Sequence, residues 1–277
     1  MDAPLVSTEW LAAHLDTVRV ADASWTMPDD KRNPAAEFEA MHIPGAVFFD
    51  IDAISDPASP LPHTMPDAAD FADAMGRLGI GDGERVVVYD GTGIFSAPRA
   101  WWMLRAMGHE NVFVLNGGLP KWRRDGYAVE SGGTAAVPAT FTTRPLAGLA
   151  RDFGQVKAAL GRVQIADARS AARFRGEEAE PRPGLRAGHM PGAKNTPWRS
   201  LLTQENTLKP DEELRAVFQA AQVDPLRPVI TTCGSGISAA IVMLALEKIG
   251  AADVSLYDGS WAEWGGRADA PIETGAP

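Results

Sequence analysis

The second half of this chain repeats the first half. Four segments recur in the same order at separations of 142 to 147 residues: 20–23 as 165–168, 42–46 as 189–193, 86–91 as 229–234, and 112–122 as 254–264. The second pair consists of the closely matching sequences HIPGA and HMPGA. Since each copy has roughly 140 residues, the size of a domain, the repeat indicates a duplicated domain and not an array of short units.

Within each copy, short β-rich runs alternate with helical patterns. The runs lie at 19–21, 85–89 and 112–115, then at 163–166, 229–232 and 254–257, and the helical patterns at 67–78, 97–107, 211–221 and 238–249. This alternation predicts an α/β fold of two duplicated domains, each a mainly parallel sheet flanked by helices. We expect the first domain at 1–130, a linker rich in Gly, Ala, Thr and Pro at 131–149, and the second domain at 150–277.

Composition limits the partners and the compartment. The net charge of −10 argues against nucleic acid or an anionic membrane as the main partner. The longest apolar run, 239–246, is too short to span a bilayer. The start of the chain, residues 1–4, lacks the basic and apolar stretches of a signal peptide, and the single cysteine excludes an internal disulfide. We therefore expect a cytoplasmic protein that is not bound to membranes.

The only cysteine, Cys233, follows an apolar stretch at 228–230 and precedes the loop Gly234-Ser235-Gly236-Ile237-Ser238, after which a helical pattern begins. Ligands of parallel α/β sheets bind beyond the carboxyl ends of the strands, where this cysteine falls. Glycines allow the main-chain N–H groups of the loop to turn inward, and the helix N-terminus adds positive potential. Since the thiolate is the nucleophilic form of cysteine, the pattern predicts a catalytic thiol in an anion-binding loop.

The corresponding residue of the first copy is Asp90. Because a carboxylate cannot attack sulfur and would repel an anion, we expect the first copy to be catalytically silent.

The loop does not match that of a cysteine-dependent phosphatase. Such an enzyme needs an arginine near the sixth residue after the cysteine, but here that residue is Ala239 and no arginine occurs before Arg267. We therefore do not expect phosphate transfer. No nucleotide-binding glycine motif and no cluster of metal ligands is visible in the sequence, so we expect neither a cofactor nor a metal.

Together, the duplication, the two HxPGA segments, the strand–cysteine–loop–helix order and the silent first copy resemble the tandem rhodanese sulfurtransferases. The loop 233–238 is similar to the Cys-Gly-(Ser/Thr)-Gly-Val-Thr signature of the 3-mercaptopyruvate sulfurtransferases, with Ile237 and Ser238 in place of Val and Thr. Segments 48–52 and 96–99 extend the resemblance over nearly the whole chain. The resemblance implies that Cys233 takes sulfur from 3-mercaptopyruvate as a persulfide, releases pyruvate, and passes the sulfur to thioredoxin, a small thiol or cyanide.

The resemblance also implies roles for individual residues. The substrate carboxylate is held by arginines of a GRFxG…EPRxG segment, which matches Arg173 and Arg182, and a guanidinium suits a carboxylate. The family's serine–histidine–aspartate relay maps onto Ser235 and His42, whereas its aspartate has no clear match around 29–33. Because His42 recurs as His189, a structural role for this pair is the alternative. For Arg173 and Arg182 the alternative is that they pair with Glu177, Glu178 or Glu180 on a solvated loop, and we expect Arg175 at the surface. The expected catalytic residues are Cys233, Ser235 and His42, and the expected substrate-binding residues are Arg173, Arg182, Gly234, Gly236, Ile237 and Ser238.

Two other functions remain open. A thiosulfate:cyanide sulfurtransferase shares the chemistry, but members of that group carry a basic pair where this chain has Gly234 and Ser235. A non-catalytic rhodanese-like module would use Cys233 as a redox sensor or persulfide carrier, although such modules often lose the cysteine. In either sulfurtransferase the donor is a small molecule and, since no second cysteine exists, the acceptor is external.

Overall fold

A computed structural model describes residues 4–27 and 29–276 of the chain. Contacts between residues divide the chain into two compact units. The first unit consists of Met1–Pro57, Met65–Leu146 and Gln204–Leu208, and the second consists of Ala58–Thr64, Ala147–Thr203 and Lys209–Pro277. Residues 1–3, on which the expectation about the N-terminus mainly rests, lie outside the described residues.

The first unit is built on a parallel sheet. Its strands are β1 (Leu5–Val6), β2 (Arg19–Asp22), β3 (Val47–Phe48), β4 (Val86–Tyr89) and β5 (Val112–Leu115). They lie in the order β1-β5-β4-β2-β3. In the register of the three central strands, Ala21 pairs with Val88 and Val88 pairs with Val114.

Helices of the first unit connect these strands: α1 (Thr8–Ala12), α2 (Pro34–Ala40), α3 (Ile51–Ile54), α4 (Ala68–Arg77), α5 (Ala97–Ala106) and α6 (Gly118–Arg124), with a 3₁₀ turn at Leu15–Thr17. The starts of α1 to α4 are capped by the side chains of Ser7, Asn33, Asp50 and Asp67, which accept main-chain N–H groups of the first turn. Short polar residues of this kind supply acceptors that the first turn of a helix lacks.

The second unit repeats this plan. Its strands are β6 (Ala150–Arg151), β7 (Gln164–Asp167), β8 (Lys194–Asn195), β9 (Val229–Thr232) and β10 (Val254–Tyr257). Their order, β6-β10-β9-β7-β8, is that of the first sheet, and all pairs are parallel. The helices are α7 (Phe153–Ala159), α8 (Ala171–Arg175), α9 (Asp211–Ala220), α10 (Ala239–Lys248) and α11 (Ser260–Trp264), with a 3₁₀ turn at Trp198–Leu201. The predicted α/β class and duplication are confirmed.

Burial explains the apolar runs of the sequence. Every residue of β4 and β9 is buried, as expected for central strands of a parallel sheet that is covered on both faces. Residues 239–246 of α10 are all buried, which explains why this helix is apolar on all sides and forms the longest apolar run of the chain. Among residues 4–27 and 29–276, none of the helices has the length and apolar character needed to cross a membrane.

The segment expected to be a linker lies largely against the first unit. Main-chain hydrogen bonds join it there, among them those from Gly132 N to Glu39 O (2.7 Å), from Ala139 N to Gly76 O (3.0 Å) and from Arg144 N to Met107 O (2.8 Å). Residues 131–146 therefore belong to the first unit. The segments Ala58–Thr64 and Gln204–Leu208 each group with the unit of the other half of the sequence, so the division is less simple than one boundary per domain.

Candidate active site

Cys233 lies at the carboxyl end of β9, at the start of the loop that leads into α10. The residue is 2% exposed. Its sulfur accepts a hydrogen bond from the main-chain N–H of Gly236 at 3.1 Å, so the thiol is turned toward the amide groups of its own loop. Two residues of the second unit hold the backbone of Cys233. The Cys233 N–H donates to Oγ of Ser260 at 3.3 Å, and the Cys233 carbonyl oxygen accepts the Trp261 N–H at 2.9 Å.

The equivalent loop of the first unit shows what such a loop can bind. It runs from Asp90 at the end of β4 to the start of α5 and contains one more residue than the Cys233 loop. The Asp90 carboxylate, which is 1% exposed, accepts five main-chain N–H groups of its own loop and helix start: Thr92 (2.9 Å), Gly93 (2.9 Å), Phe95 (2.8 Å), Ser96 (3.0 Å) and Ala97 (3.0 Å). The loop of this fold is therefore an anion-binding nest.

This geometry revises the argument for a silent first copy. The sequence suggested that Asp90 would repel an anion, whereas the structure shows that the Asp90 carboxylate itself fills the nest of its loop. In the second unit the corresponding N–H, that of Gly236, binds the sulfur of Cys233 instead. Gly236 has a φ of +84°, a backbone conformation that glycine adopts without strain.

Arg173 brings a positive charge to the Cys233 loop. It lies on α8. Ser170 caps this helix, because its Oγ accepts the Arg173 N–H at 3.3 Å. A Cβ atom added to Gly234 would lie 3.0 Å from Nη2 of Arg173, so the guanidinium occupies the space beside the residue that follows the cysteine. The Arg173 side chain is 19% exposed, and its Nε is buried without a hydrogen-bond partner among the described residues.

Arg173 also pairs with Glu180, but not on a solvated loop as the structural alternative for this arginine supposed. Nη2 of Arg173 donates to Oε2 of Glu180, whose side chain is only 2% exposed. By contrast, Arg175 forms a surface ion pair with Glu177, with Nη2 2.6 Å from Oε2 and side chains that are 36% and 56% exposed. The expectation of a surface position for Arg175 is confirmed.

Behind this pair lies a second arginine, Arg169, which sequence reasoning missed. Its Nη1 donates to Oε1 of Glu180 at 2.7 Å, and its Nη2 donates to Oδ2 of Asp167 at 2.6 Å. Its guanidinium stacks on the Trp261 ring, 4.1 Å from the centroid. Burial acts to lower the pKa of Arg169, but the carboxylates of Asp167 and Glu180 outweigh burial and raise it. The repeat was the one feature of the sequence that could have drawn attention to Arg169, because the first copy has the uncharged Ser24 at the aligned position.

Of the remaining expected site residues, Ser235, Ile237 and Ser238 lie in the loop itself. Ser235 is 7% exposed and Ile237 is 3% exposed. Ser238 directly precedes α10 and does not cap it with its side chain. Arg182 is partly buried in the segment after Glu180.

His42 lies elsewhere within its own unit. Its Nδ1 is 2.7 Å from the carbonyl oxygen of Phe38, its Nε2 is 3.2 Å from Oε1 of Glu130, and its ring stacks on Phe38 at 4.1 Å. His189 has the same arrangement, with Nδ1 2.9 Å from the carbonyl oxygen of Phe174 and the rings 3.9 Å apart. These contacts favour the structural role for His42 and do not support the expected catalytic role.

A different histidine belongs to the second unit. His63 lies in the segment Ala58–Thr64 that groups with this unit, is 7% exposed, and has a φ of +59°. A non-glycine residue in the left-handed region is costly and persists only where its surroundings hold it. The sequence around it, PLPH, is typical of a loop and gives no further signal.

A duplicated α/β fold with a buried thiol at the start of a strand–loop–helix turn defines a two-domain protein with a candidate cysteine nucleophile. The family model of the rhodanese-like domain matches residues 7–125 and 152–267. The chain therefore belongs to the rhodanese family, as its sequence suggested.

Several relatives that align with nearly the whole chain are named sulfurtransferases. The chain is 46% identical over 273 residues to the 3-mercaptopyruvate sulfurtransferase of Escherichia coli (strain K12), with 97% of each protein covered. It is 44% identical over 296 residues to the mitochondrial thiosulfate/3-mercaptopyruvate sulfurtransferase 1 of Arabidopsis thaliana, covering 98% of this chain and 78% of that protein. The crystal structure of the 3-mercaptopyruvate sulfotransferase SseA from Escherichia coli is similar with a TM-score of 0.86 and 44% identity, covering 94% of this chain and 99% of the other.

Proposed function

We propose that this chain is a sulfurtransferase that takes the sulfur atom of 3-mercaptopyruvate onto Cys233 and passes it to a thiol or to cyanide. The observation that carries the proposal is the position of the Cys233 thiol in a loop whose counterpart binds a carboxylate through five main-chain N–H groups. The names of the relatives in Escherichia coli and Arabidopsis thaliana support the same donor.

In the first half-reaction, the Cys233 thiolate attacks the sulfur of 3-mercaptopyruvate. A sulfur–sulfur bond forms, the carbon–sulfur bond breaks, and its electron pair leaves with the carbon as the enolate of pyruvate. The enolate takes up a proton to give pyruvate, and the enzyme retains a persulfide on Cys233, which is a covalent intermediate. In the second half-reaction, an acceptor thiolate attacks the outer sulfur, and the electron pair of the sulfur–sulfur bond returns to Cys233.

Different residues of the second unit have different roles in this reaction. Arg173 and Arg182 bind the substrate carboxylate, since a guanidinium offers paired donors to its two oxygens. The amides of the loop, from Gly234 to Ser238, and the N-terminus of α10 stabilise the negative charge of the outer sulfur. The Ser235 hydroxyl polarises the substrate carbonyl or delivers the proton to the enolate. Because both nitrogens of His42 contact Phe38 and Glu130, we assign it no step.

Thiosulfate fits the site less well than a carboxylate substrate. A donor with two negative charges gains most from cationic side chains in the loop itself, but none of the residues from Gly234 to Ser238 carries a positive charge. A reduced thioredoxin or a small thiol is the acceptor we expect, because Cys233 is the only cysteine and no internal thiol is present to take up the sulfur. Both acceptors suit a reducing compartment such as the cytoplasm.

The experiment measures pyruvate release from 3-mercaptopyruvate, with cyanide, a small thiol or reduced thioredoxin as acceptor, and the same acceptors with thiosulfate as donor. Without an acceptor, one sulfur atom is expected to add to the intact protein, as seen by mass spectrometry. Cys233→Ser is expected to remove both the added mass and the pyruvate, with an unchanged circular dichroism spectrum. Turnover by this variant, or equal use of thiosulfate, would contradict the proposal. The absence of both signals in the wild type would favour a redox sensor.

A further inference from the structure

Arg173 is the outermost member of a row of four alternating charges in the second unit. The row consists of Asp167, Arg169, Glu180 and Arg173, and it starts at the last residue of β7. The side chains of the first three are at most 2% exposed, whereas that of Arg173 is 19% exposed. The row therefore begins in the buried interior with a carboxylate and ends with a guanidinium beside Gly234.

Glu180 is shared between the two arginines. One carboxylate oxygen, Oε1, accepts from Arg169 at 2.7 Å, and the other, Oε2, accepts from Nη2 of Arg173. As Arg169 occupies Oε1, Glu180 is left with one oxygen for Arg173 and does not form a two-pronged pair with it. Such a pair, with two parallel N–H···O bonds, is the usual arrangement of an arginine and a carboxylate and would direct the donors of Arg173 away from a substrate.

Arg169 is enclosed by partners other than a substrate, since its side chain is 1% exposed. It donates to Asp167, Glu180 and the carbonyl oxygen of Gly188 (2.8 Å), and one face of its guanidinium lies on Trp261. A buried arginine with this many partners has one orientation.

We propose that Arg169 is a positioning residue, which holds one oxygen of Glu180 and thereby keeps the Arg173 guanidinium in place beside Gly234 for the carboxylate of a 2-oxo acid donor. The proposal rests on the function proposed above, because it assumes that Arg173 binds that carboxylate. It predicts that the effect of changing Arg169 on substrate use passes through Arg173.

A double-mutant cycle on kcat/KM for 3-mercaptopyruvate tests this prediction. Arg169→Lys keeps the charge but lacks the planar guanidinium that binds Asp167 and Glu180 at the same time. Glu180 is then no longer held, so Arg173 loses its fixed position. A misplacement of about 1 Å can cost on the order of 100-fold in rate, and we expect kcat/KM to fall roughly 10- to 100-fold, mostly through KM. In an Arg173→Ala background, Arg169→Lys is expected to cause no further loss.

Three comparisons make the outcome decisive. Arg175→Lys, on the same helix as Arg173 but in a surface pair with Glu177, is the matched control and is expected to leave kcat/KM unchanged. Transfer of sulfur from the preformed persulfide to cyanide, which involves no carboxylate, is expected to be unchanged in Arg169→Lys. If Arg169→Lys fails to fold, Glu180→Gln tests the carboxylate through which Arg169 acts, since its amide nitrogen faces one of the two guanidinium groups; this variant too is expected to cause no further loss in the Arg173→Ala background.

Losses that multiply independently in the double variant, or an equal loss in the cyanide step, would overturn the positioning role. A lack of effect of Arg173→Ala alone would instead overturn the carboxylate site of the proposed function, so the two failures are distinguishable.

Discussion

Gly234→Ala tests the geometry of the site with a single methyl group. The added Cβ would lie 3.0 Å from Nη2 of Arg173 and 3.9 Å from both its Cζ and Nη1. An unstrained contact between such atoms is about 3.5 Å or longer, so the guanidinium must retreat by about half an ångström. It has little freedom to do so, because Nη2 is bonded to Glu180 and Glu180 is held by Arg169.

The expected consequence is a loss of substrate binding without a loss of folding. If a displacement of about 1 Å costs on the order of 100-fold, half that displacement costs about tenfold in KM for 3-mercaptopyruvate, or about 1.4 kcal/mol. The φ of Gly234 is not in the left-handed region, so alanine fits the backbone there. The smaller entropy of the unfolded alanine chain adds about 0.4–1 kcal/mol, which offsets the close contact in the folded state.

Steady-state kinetics with 3-mercaptopyruvate and thermal unfolding of the same samples give the answer. Gly133→Ala is the matched control, because its added Cβ would have no neighbour within 4 Å and its φ is also outside the left-handed region. Gly234→Ala made in an Arg173→Ala background should leave the kinetics of that background unchanged. An unaltered KM in the single variant would refute the position of the Arg173 guanidinium beside the loop.

Two further predictions concern the first unit. Burial is the main cause that raises the pKa of Asp22 from 3.8 to about 6, so the stability this carboxyl contributes is present below about pH 4 and is lost as the pH rises through about 6. Relative to the wild type, Asp22→Asn should therefore gain about 3 kcal/mol in the free energy of unfolding between about pH 4 and pH 8, measured by urea denaturation; a difference that does not change with pH would contradict the burial argument. His42→Gln should lower stability by about 1–3 kcal/mol, because it removes the contacts with Phe38 and Glu130, and should leave kcat unchanged; a fall in kcat without a fall in melting temperature would restore the catalytic role of His42.

The sequence predicts the six four-residue strands and the four ten-residue helices in the described part of this fold because their signals are local, whereas the two-residue strands and the shorter helices were not predicted. The runs at 229–232 and 254–257 are strands with those bounds, and the helical pattern at 238–249 contains the helix Ala239–Lys248. Strand length, apolar character and the flanking turn residues are sufficient for these assignments. The Cys233 loop was predicted for the same reason, since a strand, a glycine-rich turn and a helix follow one another along the chain.

The charged row behind Arg173 was not predictable in this way. Residues 169–182 contain many charges and are typical of a solvated loop, so Glu180 was expected at the surface if it paired with an arginine. Burial of Glu180 is possible only because Arg169 and Arg173 both reach it, and a buried charge without such partners would cost several kcal/mol. Pairing of this kind depends on how the segments pack, and it becomes visible in three dimensions alone.

A comparison of the two units separates the features of the site that both copies of the fold share from those found in the second unit. In both loops main-chain N–H groups donate to the side chain of the first loop residue, so this arrangement comes with the strand–loop–helix unit itself. The first unit even has a guanidinium near its loop, since Nη2 of Arg32 would lie 3.6 Å from a Cβ added to Gly91.

The partner of Arg32, however, is Glu37, whose side chain is 42% exposed, and both oxygens of Glu37 are bonded to it, at 2.9 and 2.7 Å. The first unit has Ser24 where the second has Arg169, and Ser24 has no positive charge with which to hold one oxygen of a carboxylate. It follows that replacing Asp90 with cysteine would add a thiol to the first unit but would not give it the positioned guanidinium of the second. Such a thiol is therefore not expected to take sulfur from 3-mercaptopyruvate, the reaction that we propose for Cys233.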